Sequence, residues 1–358
     1  MNSTEILNVT NETTPYEPPF DHTEITLTWI ILMPLCVFGI IANFVTIVVI
    51  VTSVNLRAST FNYFIVSLCV SDLLSSLISP LHAYRRTWGF IDWQWSDFLC
   101  KMFWSIDLWT SFVTSSHVLT FASLRFISLQ WPFRFNSISK KHAKVMIASI
   151  WIVAFCIGFV PFSIWFGATK RDRTSPLPNS KWPSCTLHIE WLQEFKLFTL
   201  ICYTLLFFLP ISLVILLSIG IAIKVKALRK NRTKLKGRGN DDTSAEKKRR
   251  NKENQILLQL ALIIASFLLG YVPHSVFQFY TVRVPSLTHQ HRVFDWWFGS
   301  FEYFALRFSE CLNPIFYNIA SRKMRQETKN LFKRCLMTSS ARIESKTVES
   351  SSPNDLRL

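Results

Sequence analysis

The chain lacks the features that mark an enzyme or a metalloprotein. None of its eight cysteines forms a CxxC pair, so a zinc site or another metal centre has little support. No set of nucleophile, base and oxyanion donors is visible, and no cofactor-binding loop. We therefore expect no catalytic residues and no organic cofactor.

Basic residues are missing from residues 1–25, which carry five acids, whereas lysine and arginine are dense in 224–252 and 321–335. The positive-inside rule then predicts an extracellular N-terminus and a cytoplasmic C-terminus. No basic n-region with a small-residue cleavage site precedes the first apolar run, so we expect the first helix to serve as a signal anchor. The net charge of +16 is expected to follow this topology and to attract anionic membrane lipids, not nucleic acid.

Apolar residues make up 49% of the chain, and the mean hydropathy is +0.24, which indicates a polytopic membrane protein. Long apolar runs without period-2 alternation predict helices, because lipid leaves only helices and closed barrels as spanning structures. The seven runs cover 26–52, 60–83, 98–131, 142–167, 196–225, 255–280 and 296–320. The sequence thus predicts an all-α membrane protein with one seven-helix bundle and neither a second domain nor an internal repeat.

The predicted organisation has four parts. An extracellular tail (1–25) precedes the transmembrane bundle (26–320), and a cytoplasmic tail (336–358) ends the chain. Between them, residues 321–335 alternate basic and apolar residues at helical spacing, which predicts a short amphipathic helix on the membrane surface.

The third run contains two charges that do not belong in lipid. Asp107 and Arg125 stand eighteen residues apart, which places them on one helical face about 27 Å apart, close to the thickness of a bilayer core. A charge that faces lipid costs roughly several kcal/mol. We therefore expect this face of the helix to contact protein or water.

Other polar residues interrupt the apolar runs. Asp72 is expected either to hydrogen-bond Asn43 or to bind a cation such as sodium, and the two roles are compatible. Arg307 and Glu310 lie three residues apart on one face of the seventh helix. Glu253 stands where the sixth helix begins, in range of Arg125 if the bundle closes.

Covalent modifications follow from the predicted topology. Cys100 and Cys185 fall in the same oxidising space, so we expect a disulfide between them. The sequons at the N-terminal end predict glycosylation, and Cys335 at the end of the amphipathic helix is a candidate for palmitoylation. The sequon residues are Asn2, Asn8 and Asn11.

These features together resemble the rhodopsin-like (class A) family of G-protein-coupled receptors, over residues 26 to about 335. Each apolar run carries one marker of the family, in order. The markers are Asn43, Asp72 in SLCVSDLL, Cys100 with Arg125, Trp151, Pro210, Pro273, and Asn313, Pro314 and Tyr317 in NPIFY.

The resemblance implies a multi-pass receptor of the plasma membrane with a heterotrimeric G protein as partner and an arrestin as a further candidate. A ligand would bind among the outer halves of the helices, and the sixth helix would swing outward about Pro273. Arg125 would be the switch, held by Glu253 in the inactive state, with Tyr317 and Asp72 in the polar relay.

The sequence departs from the family pattern at two places. The family's acid before the arginine and tyrosine after it are replaced by Leu124 and Phe126. We hypothesise raised basal signalling from that missing acid. Gly270 and Tyr271 replace the usual Cys-Trp pair before Pro273, and a weak or non-signalling receptor stays an alternative.

The ligand depends on which cation Asp107 prefers. Its position resembles that of the carboxylate with which biogenic-amine receptors bind an ammonium group, but Arg307 is placed to form an internal salt bridge with it. Arg307 can instead pair with Glu310 and leave Asp107 free. The candidate ligand-binding residues are Asp107, Ser111, Cys202, Tyr203, Tyr271, His274, Gln278, Tyr303 and Arg307.

Alternatives to a small amine are a peptide, a lipid, another small ligand, or no classical ligand. An opsin is disfavoured because arginine at position 307 does not form a Schiff base at a useful rate. A transporter or channel would use the intramembrane charges as an ion path, but inverted repeats and broken helix pairs are not found.

Overall fold

The computed structural model describes residues 18–168, 184–235, 244–283 and 288–334. Within these residues the chain forms seven long helices and one short C-terminal helix. The first four are α1 (His22–Thr52), α2 (Thr60–Arg86), α3 (Asp97–Gln130) and α4 (Lys140–Trp165). The others are α5 (Leu192–Phe198, Thr199–Phe208 and Leu209–Leu235 in succession), α6 (Ser244–Arg283), α7 (His289–Ala320) and α8 (322–334). Short helical turns cover Val54–Arg57, Pro132–Asn136 and Ile189–Trp191.

Several helices begin at residues whose side chains satisfy free backbone N–H groups. Asp21 and Glu24 form a reciprocal capping box at the start of α1. Ser96 accepts a hydrogen bond from the N–H of Leu99 at the start of α3, and Thr288 accepts one from His291 at the start of α7. The apolar runs of the sequence lie inside these helices, so the prediction of an all-α membrane bundle is confirmed.

Six of the described helices are long and apolar enough to cross a membrane, and α7 is not among them. The reason is the polarity of its buried face, which lowers its hydropathy. Glu302, Arg307, Glu310 and Asn313 are all buried there against other helices. A helix that pairs its charges inside the bundle does not need an apolar sequence all round.

Helices α4 and α5 contain π-helical segments that the sequence did not predict. One covers Phe155–Phe159 and the other covers Thr199–Phe208, directly before Pro210. Proline has no N–H, so the Leu206 carbonyl four residues earlier loses its helical partner. Ser115 Oγ on α3 donates a hydrogen bond to that carbonyl at 2.6 Å.

A small antiparallel hairpin closes one end of the bundle. Strands β1 (Phe166–Ala168) and β2 (Cys185–Leu187) pair with Ala168 opposite Cys185. The predicted Cys100–Cys185 disulfide is confirmed, and it ties β2 to the first turns of α3. We call this the disulfide end of the bundle.

The main core cluster of the described residues extends across the bundle, and aromatic side chains of α3, α5 and α6 pack together in one part of it. Phe112, Phe207 and Tyr271 are each almost fully buried there. Beyond α7, Met324 on α8 is buried in the same core, so one face of the C-terminal helix packs against the bundle. Cys335 lies outside the described residues.

Candidate functional site

Arg307 forms the centre of a buried ion triad. Its Nη2 donates to Asp107 Oδ1 on α3, and its Nη1 donates to Glu310 Oε2 on α7 at 2.7 Å. The guanidinium is nearly fully buried. The two pairings that the sequence left as alternatives are therefore made at once, because the two ends of the planar guanidinium bind different carboxylates.

Neighbouring helices hold the triad in place. Ser75 Oγ on α2 donates to Glu310 Oε2 at 2.7 Å. The Arg307 guanidinium carbon lies 4.6 Å from the centre of the Tyr303 ring, and the Tyr303 hydroxyl donates to Ser79 Oγ at 3.3 Å. Three helices thus fix the orientation of one arginine.

A second buried pair lies nearer the disulfide end of α7. His274 Nδ1 on α6 is 2.8 Å from Glu302 Oε2 on α7, and both side chains are buried. The His274 ring also contacts the rings of Tyr203 and Tyr271. Sequence reasoning missed Glu302, although an acid inside the last apolar run was the signal that could have identified it.

The other predicted ligand-binding residues have unequal positions. Ser111 is buried on α3 one turn after Asp107, and the Ser111 and Tyr271 hydroxyls have no hydrogen-bond partner among the described residues. Cys202 and Gln278 are half-buried, and neither makes a hydrogen bond to the triad. The structure brings Asp107, Tyr303 and Arg307 into contact, and gathers Tyr203, Tyr271 and His274 beside Phe207.

Asp72 lies deeper in the bundle and bonds a different amide from the one expected. Asn313 Nδ2 on α7 donates to Asp72 Oδ2 at 2.9 Å. The predicted bond from Asn43 is wrong, because the Asn43 amide donates to the Gly39 carbonyl of its own helix at 3.0 Å. Within the described ranges, no group of three or more His, Cys, Asp or Glu is arranged to hold a metal ion. A sodium ion at Asp72 stays a prediction.

Arg125 is half-buried at the end of α3 away from the disulfide. Its guanidinium carbon lies 3.8 Å from the centre of the Phe61 ring, a cation–π contact. Among the described side chains no carboxylate pairs with it. The Glu253 side chain lies outside them, so the predicted Arg125–Glu253 lock is not tested.

The remaining predicted switch residues lie on α6 and α7. Pro273 and Pro314 are inside their helices, and Tyr317 is buried with its hydroxyl unpartnered in the described part of the chain. The glycosylation candidates are also outside the described residues. They are Asn2, Asn8 and Asn11.

Residues 42–317 match the family model of the 7 transmembrane receptor (rhodopsin family). The chain is similar to the growth hormone secretagogue receptor type 1 of Homo sapiens, with 28% identity over 302 residues that cover 81% of this chain and 76% of the relative. It is 24% identical to the RYamide receptor of Drosophila melanogaster, over 81% of this chain and 60% of the relative. It is also 23% identical to the somatostatin receptor type 2 of Mus musculus, over 92% of this chain and 82% of the relative.

Proposed function

Because this chain belongs to the rhodopsin family of seven-transmembrane receptors, and is therefore a G-protein-coupled receptor, we propose that its ligand is a peptide and not a small amine. The observation that carries the proposal is the buried triad, in which Arg307 already occupies the carboxylate of Asp107. An amine receptor needs that carboxylate for the ammonium group of its ligand.

The energetics disfavour displacement of Arg307 by an amine. Removing one partner from a buried ion pair costs about 3–5 kcal/mol, because the other charge is left without compensation. A ligand ammonium that replaced Arg307 at Asp107 would regain one charge-assisted hydrogen bond, of about 1.5–3 kcal/mol. Arg307 would keep only Glu310, so the exchange has no net driving force.

The relatives also support a peptide ligand. Their names refer to a growth hormone secretagogue, to RYamide and to somatostatin, and none of the three refers to a biogenic amine. A larger ligand engages the disulfide end of the bundle through many contacts and does not need Asp107 as its single anchor.

The family supplies the transduction step. We infer that the disulfide end is extracellular, that ligand binding there favours an outward swing of α6 about Pro273, and that the opposite end then takes the G protein. Arg125 is the proposed switch, with Asp72, Asn313 and Tyr317 in the relay between the ends. Plasma-membrane location, arrestin binding, glycosylation near the N-terminus and palmitoylation of Cys335 belong to the same proposal.

A G-protein activation screen with amine and peptide libraries tests the ligand class. Wild type is expected to respond to peptides and not to amines. The double variant Arg307→Tyr with Glu310→Gln removes one cation and one anion, so it frees Asp107 without changing the buried charge balance. We expect it to gain amine responses that wild type lacks, because a charge-assisted hydrogen bond to Asp107 becomes available to the ligand and is worth about ten- to a hundredfold in affinity.

Two further variants complete that screen. Arg307→Tyr alone is expected to gain a weaker amine response, and Lys101→Gln, a surface cation paired with Asp97, serves as the control. If amines activate wild type and Asp107→Ala abolishes the response, the ligand is an amine and the proposal is wrong.

A further inference from the structure

Two consecutive arginines are buried at the disulfide end of α2. Arg85 and Arg86 are each only 8% exposed, although arginine is rarely buried without a charged partner. They are the last two residues of the helix, next to the segment that leads to the disulfide. Their burial therefore needs an explanation.

The protein groups bonded to both guanidiniums are neutral. Arg85 Nε donates to the Cys185 carbonyl at 2.9 Å, and its guanidinium carbon lies 4.6 Å from the centre of a Trp104 ring. Arg86 Nη1 donates to the Trp296 carbonyl at 3.1 Å, and Arg86 Nε donates to His82 Nε2 at 3.1 Å. Each guanidinium has five N–H donors, so most of these donors have no acceptor in the described part of the protein.

Carboxylates are near but do not pair with these arginines. Glu302 and Asp295 on α7 attract the Arg86 charge, yet within the described residues no carboxylate oxygen is within 4.0 Å of either guanidinium. Glu302 is bonded to His274 instead. The two cations thus lack a direct anionic partner.

Two more unpartnered donors adjoin the arginines. His82 accepts from Arg86 through Nε2, so its neutral ring carries its proton on Nδ1, a buried donor without an acceptor among the described residues. The Trp104 indole N–H is buried and unpartnered in the same way. Together with the guanidiniums they form a cluster that offers donors and positive charge, which is the complement of an anion.

The bundle also makes room for one of these guanidiniums. Gly299 on α7 is buried against Arg86, and a Cβ atom at Gly299 would collide with the guanidinium group. The absence of a side chain there lets Arg86 lie against α7 beside the Trp296 carbonyl. The position of Arg86 therefore depends on helix packing as well as on its own hydrogen bonds.

We propose that Arg85 and Arg86 form an anion-binding site at the disulfide end that takes a carboxylate of the extracellular ligand. Planar guanidiniums bind carboxylates through paired N–H donors, and partial burial strengthens such bonds. Arg86 is the contact that the variants address, because Gly299 beside it offers a substitution that moves the guanidinium without removing a charge. The proposal rests on the proposed function in one respect, namely that the ligand reaches the receptor from the disulfide end.

Binding of a simple dicarboxylate tests the site without any signalling step. The full chain is purified, placed in nanodiscs of zwitterionic phosphatidylcholine, and titrated with glutarate while its thermal unfolding midpoint is measured. Sodium chloride at matched ionic strength is the reference, since it screens charges without bridging two guanidiniums. Glutarate is expected to raise the midpoint, because a ligand that binds only the folded state stabilises it.

Three variants test whether the glutarate effect on the unfolding midpoint depends on Arg86. Arg86→Gln is expected to weaken the apparent glutarate affinity about tenfold or more, through loss of a charge-assisted contact. Gly299→Ala keeps every charge but displaces the Arg86 guanidinium, so it is also expected to weaken glutarate binding. Lys101→Gln removes a half-buried cation of the same end that is already paired with Asp97, and is expected to leave the affinity unchanged.

Several outcomes would overturn the site. They are no midpoint shift with glutarate beyond that of the salt reference, equal affinity in wild type and Arg86→Gln, and a response to inorganic phosphate without one to glutarate. A receptor that responds to peptides but shows no glutarate shift refutes the anion site and leaves the peptide proposal standing. A glutarate shift in a receptor that responds only to amines supports the anion site and refutes the peptide proposal.

Discussion

At the scale of single residues, the contact between α6 and α7 depends on a missing side chain. Gly270 is buried, and a Cβ atom there would collide with the Ser309 side chain and lie 3.1 Å from the Leu306 Cα. Ser266 Oγ donates to the Ser309 carbonyl at 2.6 Å one turn away. The close approach explains why glycine stands at a position where the family usually has cysteine.

Gly270→Ala is therefore expected to destabilise the receptor by about 1–3 kcal/mol, because the inserted methyl group must separate two packed helices. The measurement is the thermal unfolding midpoint of the purified receptor. Gly220→Ala is the matched control, since its Cβ would meet only the edge of the Phe126 ring, which can rotate. Helix propensity alone favours alanine at both positions, so equal or higher stability of Gly270→Ala would contradict the packing argument.

The charged residues show which side-chain contacts can be predicted from the sequence and which cannot. Asp107 and Arg125 were recognisable as residues that must avoid lipid, and Arg307 was recognisable as a partner for Asp107. The double pairing with Glu310 could not be predicted, because it depends on the rotation of α7 about its axis. The prediction of an Asn43–Asp72 hydrogen bond was wrong for the same reason. A small rotation of a helix about its axis decides whether an amide side chain reaches the next helix or its own backbone.

At the scale of helices, the π-helical segment of α5 depends on a neighbour. Pro210 removes the N–H that would bond the Leu206 carbonyl, and Ser115 on α3 supplies a hydroxyl donor in its place. A buried carbonyl without a partner costs about 1–3 kcal/mol. The serine thus links α3 to the irregular part of α5.

Ser115→Ala is expected to lower the global stability by about 1 kcal/mol or more and to speed amide hydrogen exchange in α5 around Thr199–Phe208. Hydrogen-exchange mass spectrometry on the purified receptor measures the local effect. Ser163→Ala is the control, because the Ser163 hydroxyl is exposed and bonds the Val160 carbonyl of its own helix. Unchanged exchange in α5 would show that the hydroxyl does not hold the segment.

The positions of the helices could be predicted from the sequence, but the π-helical segments within them could not. The apolar run at 98–131 matches α3 at Asp97–Gln130 closely, because membrane thickness and Ser96 as the N-cap residue define its ends. Pro210 and Pro273 each remove a backbone hydrogen bond from a helix. Whether a proline produces a kink or a π-helical segment depends on which neighbouring group takes the free carbonyl, and that is a tertiary contact.

At the scale of the whole molecule, the proposed mechanism makes the receptor a two-state bundle, and we expect its balance to depend on the end away from the disulfide. Arg125 lies against the Phe61 ring and has no carboxylate partner among the described residues. A cation–π contact contributes about 0.5–2 kcal/mol, less than a buried ion pair whose loss costs about 3–5 kcal/mol. Because Leu124 stands where the family has an acid, the inactive state lacks one anionic contact to Arg125 and is expected to convert more readily to the active state.

Basal signalling is therefore expected to exceed that of mock-transfected cells, and Leu124→Asp is expected to lower it. Leu124 precedes Arg125 and is buried, so an aspartate there places an anion beside the guanidinium and stabilises the inactive state. A shift of about 1.4 kcal/mol changes the ratio of the two states about tenfold. Second-messenger accumulation without ligand, normalised to surface expression, measures the change. Leu124→Asn has nearly the same shape as the aspartate variant but no charge, and is expected to stay nearer to wild type. Equal basal signals in these two variants, or a wild type that matches mock-transfected cells, would show that the missing acid does not set the balance.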